Sequence, residues 1–233
     1  MSVEGFGSKG LGGLFVLVLG LALTCSAQAA PPGFRPPPVE QMGPDQFRIG
    51  KVQVDKAHQR MVVPGVVIRL EGPLEFLGVT RGSDRGYEAL LELDASAFEF
   101  NLGCIMIGLD DKNAKPSRFH FDPDPVMGDA VSMRVGWVKG GKTVEVDASQ
   151  LLLLEGKRID AATWRYTGSS FNTNNHYLAE LDGVLIGFAH DPSSIIEHAQ
   201  GLAIGNYGGV MGNTELAPPI GTPVYISITR IEQ

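Results

Sequence analysis

The sequence predicts an α+β fold, a mostly antiparallel β-sheet domain packed around one buried apolar helix at about residues 96–109. Short segments that alternate apolar and polar residues recur between turn-forming residues, which is typical of β-strands. One segment differs, because from Ala97 to Leu109 only Glu99 and Asn101 are strongly polar. A helix that is apolar on nearly every side is expected inside a core. One or two short additional helices complete the prediction.

The first 29 residues have the pattern of a secretory signal peptide. Lys9 supplies a positive charge, Leu14 to Leu23 form an apolar segment, and Ala27-Gln28-Ala29 fits the small-x-small cleavage rule. The apolar segment is too short for an ordinary transmembrane span. We therefore expect a periplasmic or secreted protein whose mature chain has no transmembrane span. Cys25 raises a lipoprotein alternative, which Thr24 disfavours because it is large for the position before a modified cysteine.

Composition argues against several classes of function. The formal net charge is −7 and the lysines and arginines are spread singly, so nucleic acid is not an expected partner. After signal cleavage Cys104 is the only cysteine, which excludes an internal disulfide and a Cys-x-x-Cys-His haem site. We expect Cys104 to be buried and unreactive. The motifs of serine hydrolases, zinc peptidases and phosphate-binding loops are absent from the sequence.

The mature chain divides into a tether and one domain. Residues 30–46 are rich in Pro and Gly and predict an extended tether, and residues 47–233 predict a single β-rich domain. Before the helix, five short strands are predicted in an antiparallel meander, at residues 47–54, 60–63, 66–70, 74–80 and 87–93. Ser96 and Glu99 have capping-box spacing, which predicts that the helix begins at Ala97.

A long polar loop and further strands are predicted after the helix. Residues 110–128 are polar and punctuated by proline, which indicates a loop. Strands are predicted at residues 131–138, 143–146, 163–167, 184–189 and 224–231, with Gly140-Gly141 as a hairpin turn. Short helical segments are predicted at residues 148–154 and 193–199.

Several short segments resemble the YdjY-like domain family. They are Gly72 to Leu77, Tyr87 to Leu91, Gly103 to Leu109, Trp164 to Ser169 and Pro218 to Val224. The resemblance spans most of the chain from about Val52 onward. It implies bacterial export and a domain whose biochemical activity is not established. Within the family a His often precedes the glutamate that is Glu88 here, and this chain has Tyr87, which argues against a His-Glu pair at these positions.

Glu88 is the first candidate functional residue. It lies between a turn and an apolar strand, where a carboxylate can be partly buried. Together with Tyr87 it is a candidate for ligand binding, and by itself it is a candidate general base or metal ligand. The structural alternative is a hydrogen-bonded glutamate at the start of a strand.

The second candidate is a metal site in the segment Phe119 to Asp124. If this segment is extended, His120, Asp122 and Asp124 lie on one face, and one imidazole with two carboxylates suits a divalent metal. Pro123 and Pro125 interrupt a strand, however, and Asp-Pro pairs commonly form turns. The cofactor prediction is therefore none, with a divalent metal as the alternative.

The third candidate is a polar loop at residues 169–177. Asn172, Asn174 and His176 provide the amides and the imidazole that a sugar- or peptide-binding loop uses, and an ordinary solvated loop has the same composition.

Two functions from different classes follow from these observations. The favoured function is an exported, non-catalytic binding or structural module whose partner is an unknown envelope protein or small ligand. The alternative is a metal-dependent or acid/base enzyme centred on Glu88 with His120 and Asp122. A structure that places Glu88 beside another titratable group favours the enzyme, whereas exposure of Glu88 to bulk solvent removes its main support.

Overall fold

A computed structural model describes residues 36–159 and 163–232, so the predicted signal peptide lies outside the described residues. The described chain contains two α-helices, α1 (Ala97–Met106) and α2 (Leu178–Asp182), and two short 3₁₀ helices, Asp84–Glu88 and Ala148–Leu151. Its strands are β1 (Val39–Gln41), β2 (Gln46–Ile49), β3 (Val52–Asp55), β4 (Arg60–Val67), β5 (Phe76–Thr80), β6 (Ala89–Leu93), β7 (Asp129–Lys139), β8 (Lys142–Asp147), β9 (Leu152–Leu154), β10 (Lys157–Arg158), β11 (Trp164–Tyr166), β12 (Val184–Gly187), β13 (Ile196–His198), β14 (Val210–Gly212) and β15 (Pro223–Arg230). None of the described helices has the length and apolar character needed to cross a membrane.

Eight of the described strands form a closed barrel. Their hydrogen-bonded order is β4-β15-β7-β11-β13-β12-β5-β6, and β6 pairs back with β4 to close the ring. Most neighbours are antiparallel, but β5–β6 and β12–β13 are parallel, so the predicted meander is wrong. The predicted α+β fold, a sheet packed around a buried helix, is wrong as well. In a closed barrel the inward side chains of the strands fill the interior themselves, and no helix is needed there.

The core is built mainly by the strands. Along β4, Met61, Val63 and Val67 are buried and alternate with more exposed residues. These side chains belong to one contiguous apolar cluster that includes Val135 of β7 and Ile226 of β15. The period-two alternation seen in the sequence therefore corresponds to real strand faces.

Helix α1 lies across one end of the barrel. It contacts β2, β3, β4 and β12, and the Tyr166 hydroxyl of β11 donates a hydrogen bond to Asn101. Phe100 and Cys104 face the core, whereas Ile105 is 52% exposed, so only one side of the helix is buried. The predicted capping box is confirmed, since the Ser96 side chain accepts from the N–H of Glu99 and the Glu99 side chain accepts from the N–H of Ser96.

Two predicted strand boundaries before the helix are also wrong. Residues 47–54, predicted as one strand, form the β2–β3 hairpin, whose turn contains Gly50 at a φ of +55°. Residues 60–63 and 66–70, predicted as two strands, are joined in β4 through Pro64. Proline is tolerated there because β4 changes neighbour at this point, from β3 at Val62 to β6 at Gly65. Within the predicted tether, β1 pairs with β2 as an exposed edge strand.

After the helix, one predicted turn is confirmed and two predicted helical segments are wrong. The Gly140-Gly141 hairpin between β7 and β8 is confirmed, with both glycines at positive φ. Residues 193–199, predicted as helical, contain β13 instead. Residues 148–154, also predicted as helical, form a 3₁₀ turn followed by β9.

Candidate functional site

Three segments bring four titratable side chains together at the end of the barrel away from α1. Glu75 immediately precedes β5, Arg85 and Glu88 lie on the 3₁₀ helix that precedes β6, and His120 lies in the loop between α1 and β7. Because β5 and β6 are parallel, their starts lie at the same end, and the Glu75 N–H donates to the Glu88 carbonyl at 2.9 Å. We call these four residues the Glu75 cluster.

Glu75 and His120 form the first pair of the cluster. His120 Nε2 lies 2.8 Å from Glu75 Oε2. The Glu75 residue is only 3% exposed, whereas the His120 side chain is 39% exposed. Burial raises the pKa of Glu75, the charge of Glu88 raises it further, and His120 acts in the opposite direction. A buried carboxylate thus holds an imidazole that remains accessible from outside.

Arg85 and Glu88 form the second pair. Arg85 Nη1 donates to Glu88 Oε1 at 2.9 Å; Glu88 is 3% exposed and the Arg85 side chain about one third exposed. Burial acts to lower the pKa of Arg85, but the hydrogen bond and charge of Glu88 outweigh it, so that pKa is raised. Tyr87, between them in sequence, is exposed, and its pKa is raised by desolvation and by the Glu88 charge. Glu88 therefore does not face bulk solvent.

The family of the chain is decided by comparison with known families. A model of the YdjY domain matches residues 52–229, which is most of the chain. The chain belongs to the YdjY domain family. The resemblance seen in the sequence is thereby confirmed, and all four residues of the Glu75 cluster lie inside the matched range. Comparison with curated proteins gives no significant match, and neither does comparison with solved structures.

The three predicted metal ligands of this YdjY domain are not brought together. His120 contacts Glu75, whereas Arg118 binds Asp122 through two hydrogen bonds of 2.8 Å and Asp124 through one of 2.6 Å. The hydrogen bonds from Arg118 hold the pKa of Asp122 far below its usual range. Among the described residues, no group of three His, Cys, Asp or Glu side chains is arranged to hold a metal ion. The arrangement gives the divalent-metal alternative no support.

The predicted binding loop of the YdjY domain lies at the other end of the barrel. Asn172 Oδ1 accepts from the N–H groups of Asn174 and His176 at 3.0 and 2.9 Å, which closes a local turn. Tyr177 stacks on Phe98 at the start of α1. Because α1 follows β6 and the Glu75 cluster precedes it, the loop and the cluster are separated by the length of a five-residue strand, roughly 15 Å. The loop and the Tyr87-Glu88 pair are therefore not one site.

The sequence predicts Glu88 and His120 as candidate site residues, but it does not single out Glu75 and Arg85. A signal for Glu75 was present, since it is a carboxylate at the edge of the apolar segment Leu74 to Thr80. Arg85 stands three residues before Glu88, the spacing at which two side chains meet on one helical turn. Neither signal reveals that the four residues meet, because that depends on the parallel pairing of β5 with β6.

Proposed function

We propose that this protein is an exported, non-catalytic binding module, and that its ligand contacts the surface formed by Arg85, Tyr87 and His120 above Glu75 and Glu88. The observation that carries the proposal is the burial of two neighbouring carboxylates, each paired with a partly exposed cationic or ionisable group. Burial of charged groups is costly, and such clusters are concentrated at functional sites. The export part rests on the signal-peptide pattern of residues 1–29.

The accessible groups of the site are mainly hydrogen-bond donors. The Arg85 side chain is partly exposed and Tyr87 is largely exposed, and His120 Nδ1 has no protein partner among the described residues. The two carboxylates beneath orient these donors and compensate their charge. A ligand that presents carboxylate or hydroxyl oxygens complements such a surface, and the Tyr87 ring offers a face for stacking.

The proposal is tested by titrating ¹⁵N-labelled mature protein with soluble disaccharide-peptide fragments of peptidoglycan, which carry both kinds of oxygen. We expect saturable shifts at residues 75, 85–88 and 120, and weaker binding by about tenfold in His120→Asn. His58→Asn is the matched control, because His58 is an exposed histidine paired with Asp55 elsewhere on the surface. Absence of saturable shifts, or an equal loss in both variants, would contradict the proposal.

One observation favours an acid/base enzyme as the second candidate. An accessible imidazole held by a buried carboxylate is the arrangement of a general base whose ring is oriented by a second group. In this candidate function, His120 transfers the proton, Glu75 orients the His120 ring, and Glu88 adds a negative charge to the site. Asp122 has no part because it is bound to Arg118. Hydrolysis of the same fragments, abolished by His120→Asn and retained in His58→Asn, would favour this candidate; unchanged fragments after long incubation would count against it.

A further inference from the structure

The loop that carries His120 is fixed at its start by a buried carboxylate. The Ser117 hydroxyl donates a hydrogen bond to Glu197 Oε2 at 2.6 Å, and the Ser117 N–H donates one to Glu197 Oε1 at 3.2 Å. Glu197 belongs to β13 and is completely buried. The start of the loop is therefore attached to the barrel wall.

The same loop is fixed after His120 by His190, which is also completely buried. His190 Nδ1 lies 2.6 Å from the carbonyl oxygen of Asp122, and the Phe121 N–H donates to the His190 carbonyl at 2.8 Å. Phe121 has a φ of +61°, a conformation that costs energy for any residue with a side chain and persists only where the surroundings enforce it. The contacts of His190 on both sides of Phe121 provide that enforcement.

Both ring nitrogens of His190 face carbonyl oxygens. Nδ1 faces Asp122 at 2.6 Å and Nε2 faces His198 at 2.9 Å. A carbonyl oxygen only accepts hydrogen bonds, whereas a neutral imidazole carries a single N–H. In the neutral ring one nitrogen lone pair would point at a carbonyl lone pair inside the core. Only the imidazolium form donates to both oxygens.

We infer that His190 is held as a buried imidazolium, and that its two donated hydrogen bonds position the loop that presents His120 to Glu75. Any effect of His190 on ligand binding through this loop rests on the proposed function. The inferred protonation state of His190 does not rest on it. His190 is thus a positioning residue that acts through the loop.

The charges around His190 are compatible with a buried cation. Burial raises the pKa of Glu197, whereas the Ser117 hydrogen bonds and the charge of His190 act in the opposite direction and favour its ionised form. Burial and the His190 charge lower the pKa of His198 to about 4, which keeps His198 neutral. The remaining nearby carboxylates are engaged elsewhere: Asp191 accepts from Ser193, and the Asp122 carboxylate binds Arg118.

The protonation state is tested on the wild-type protein, without any ligand, by ¹⁵N NMR of the histidine rings at neutral pH. We expect both ring nitrogens of one histidine, assigned to His190 by its absence from His190→Phe spectra or by through-space contacts, to resonate as protonated nitrogens. A His190 ring with one unprotonated nitrogen would overturn the inference. This measurement is independent of whether the peptidoglycan fragments bind.

The positioning role is tested with His190→Phe, which replaces the imidazole with an aromatic ring that lacks both donors, and with His58→Phe as its control. We expect the ring resonances of His120 to shift and the amides of residues 117–122 to lose hydrogen-exchange protection by about tenfold or more, since each lost hydrogen bond is worth about that factor. The His58→Phe control is expected to change neither the His120 ring resonances nor the exchange protection of these amides. If His190→Phe does not fold, a wild-type pH series replaces it: amide protection of residues 117–122 must fall as the His190 ring loses its second proton, and protection that stays constant would overturn the positioning role.

Discussion

Removal of Arg85 offers a direct measure of how costly the buried Glu88 carboxylate is. Glu88 is 3% exposed and Arg85 donates its charged hydrogen bond, so Arg85→Met leaves a buried carboxylate without its cation. Loss of one partner of a buried ion pair costs about 3–5 kcal/mol, and we expect about 3 kcal/mol because Arg85 is one third exposed and water can partly replace it. For a domain of this size that corresponds to a melting temperature lower by roughly 6–12 °C.

Arg81→Met is the matched control for this prediction. Arg81 forms ion pairs with Glu92 and Asp94 but is about half exposed, so the same substitution is expected to cost less than about 1 kcal/mol. Urea unfolding followed by circular dichroism measures both variants. In the double variant with Glu88→Gln, the buried charge is absent and most of the Arg85→Met loss should be recovered. Equal losses for the two arginine variants, or no recovery in the double variant, would refute the reasoning.

Three further predictions concern the helix cap, a buried histidine and the free thiol. Ser96→Ala removes one half of the capping box and should lower the free energy of unfolding by about 1 kcal/mol in urea titrations; no change would mean that α1 does not depend on its cap. The pKa of His198 is lowered to about 4 from 6.5, chiefly by burial, so the unfolded chain binds the proton first and stability falls as the pH drops through that window. Between pH 6.5 and about 4, the free energy of unfolding of His198→Asn should therefore fall by roughly 2–3 kcal/mol less than that of the wild type. Parallel plots of unfolding free energy against pH for the two proteins would contradict this. Burial raises the pKa of the Cys104 thiol, so iodoacetamide should label it only in denaturant, and rapid labelling of the native protein would disprove its burial.

Local structure was largely predictable because it depends on neighbours in sequence. The capping box of Ser96 and Glu99 and the Gly140-Gly141 turn were both correct, since each is a contact between residues at most a few positions apart. Strand ends were less predictable. Gly50 splits one predicted strand into a hairpin, and Pro64 does not separate the two strands predicted on either side of it, because the position of each residue in the sheet decides its effect.

The candidate site was predictable only residue by residue. Glu88 was identified by its place before an apolar strand and His120 by its acidic neighbours, but the neighbours of His120 bind Arg118 while His120 binds Glu75. Sequence spacing favours local partners for a side chain. A partner 45 residues away is set by the pairing of strands and the path of the loop.

By itself, the sequence determined the family, the helix cap and the Gly140-Gly141 turn, because caps, turn residues and family motifs are properties of short segments. The export signal stays a prediction from the pattern of residues 1–29. Tertiary structure alone decided that the strands close into a barrel, that α1 covers one end of it with one side exposed, and that Glu75, Arg85, Glu88 and His120 meet at the other end. The physical reason is that closure depends on hydrogen bonds between strands far apart in sequence, such as β4 with β6 and β4 with β15. The alternation of apolar and polar residues predicts which face of a strand is buried, but it does not predict which strand lies beside it.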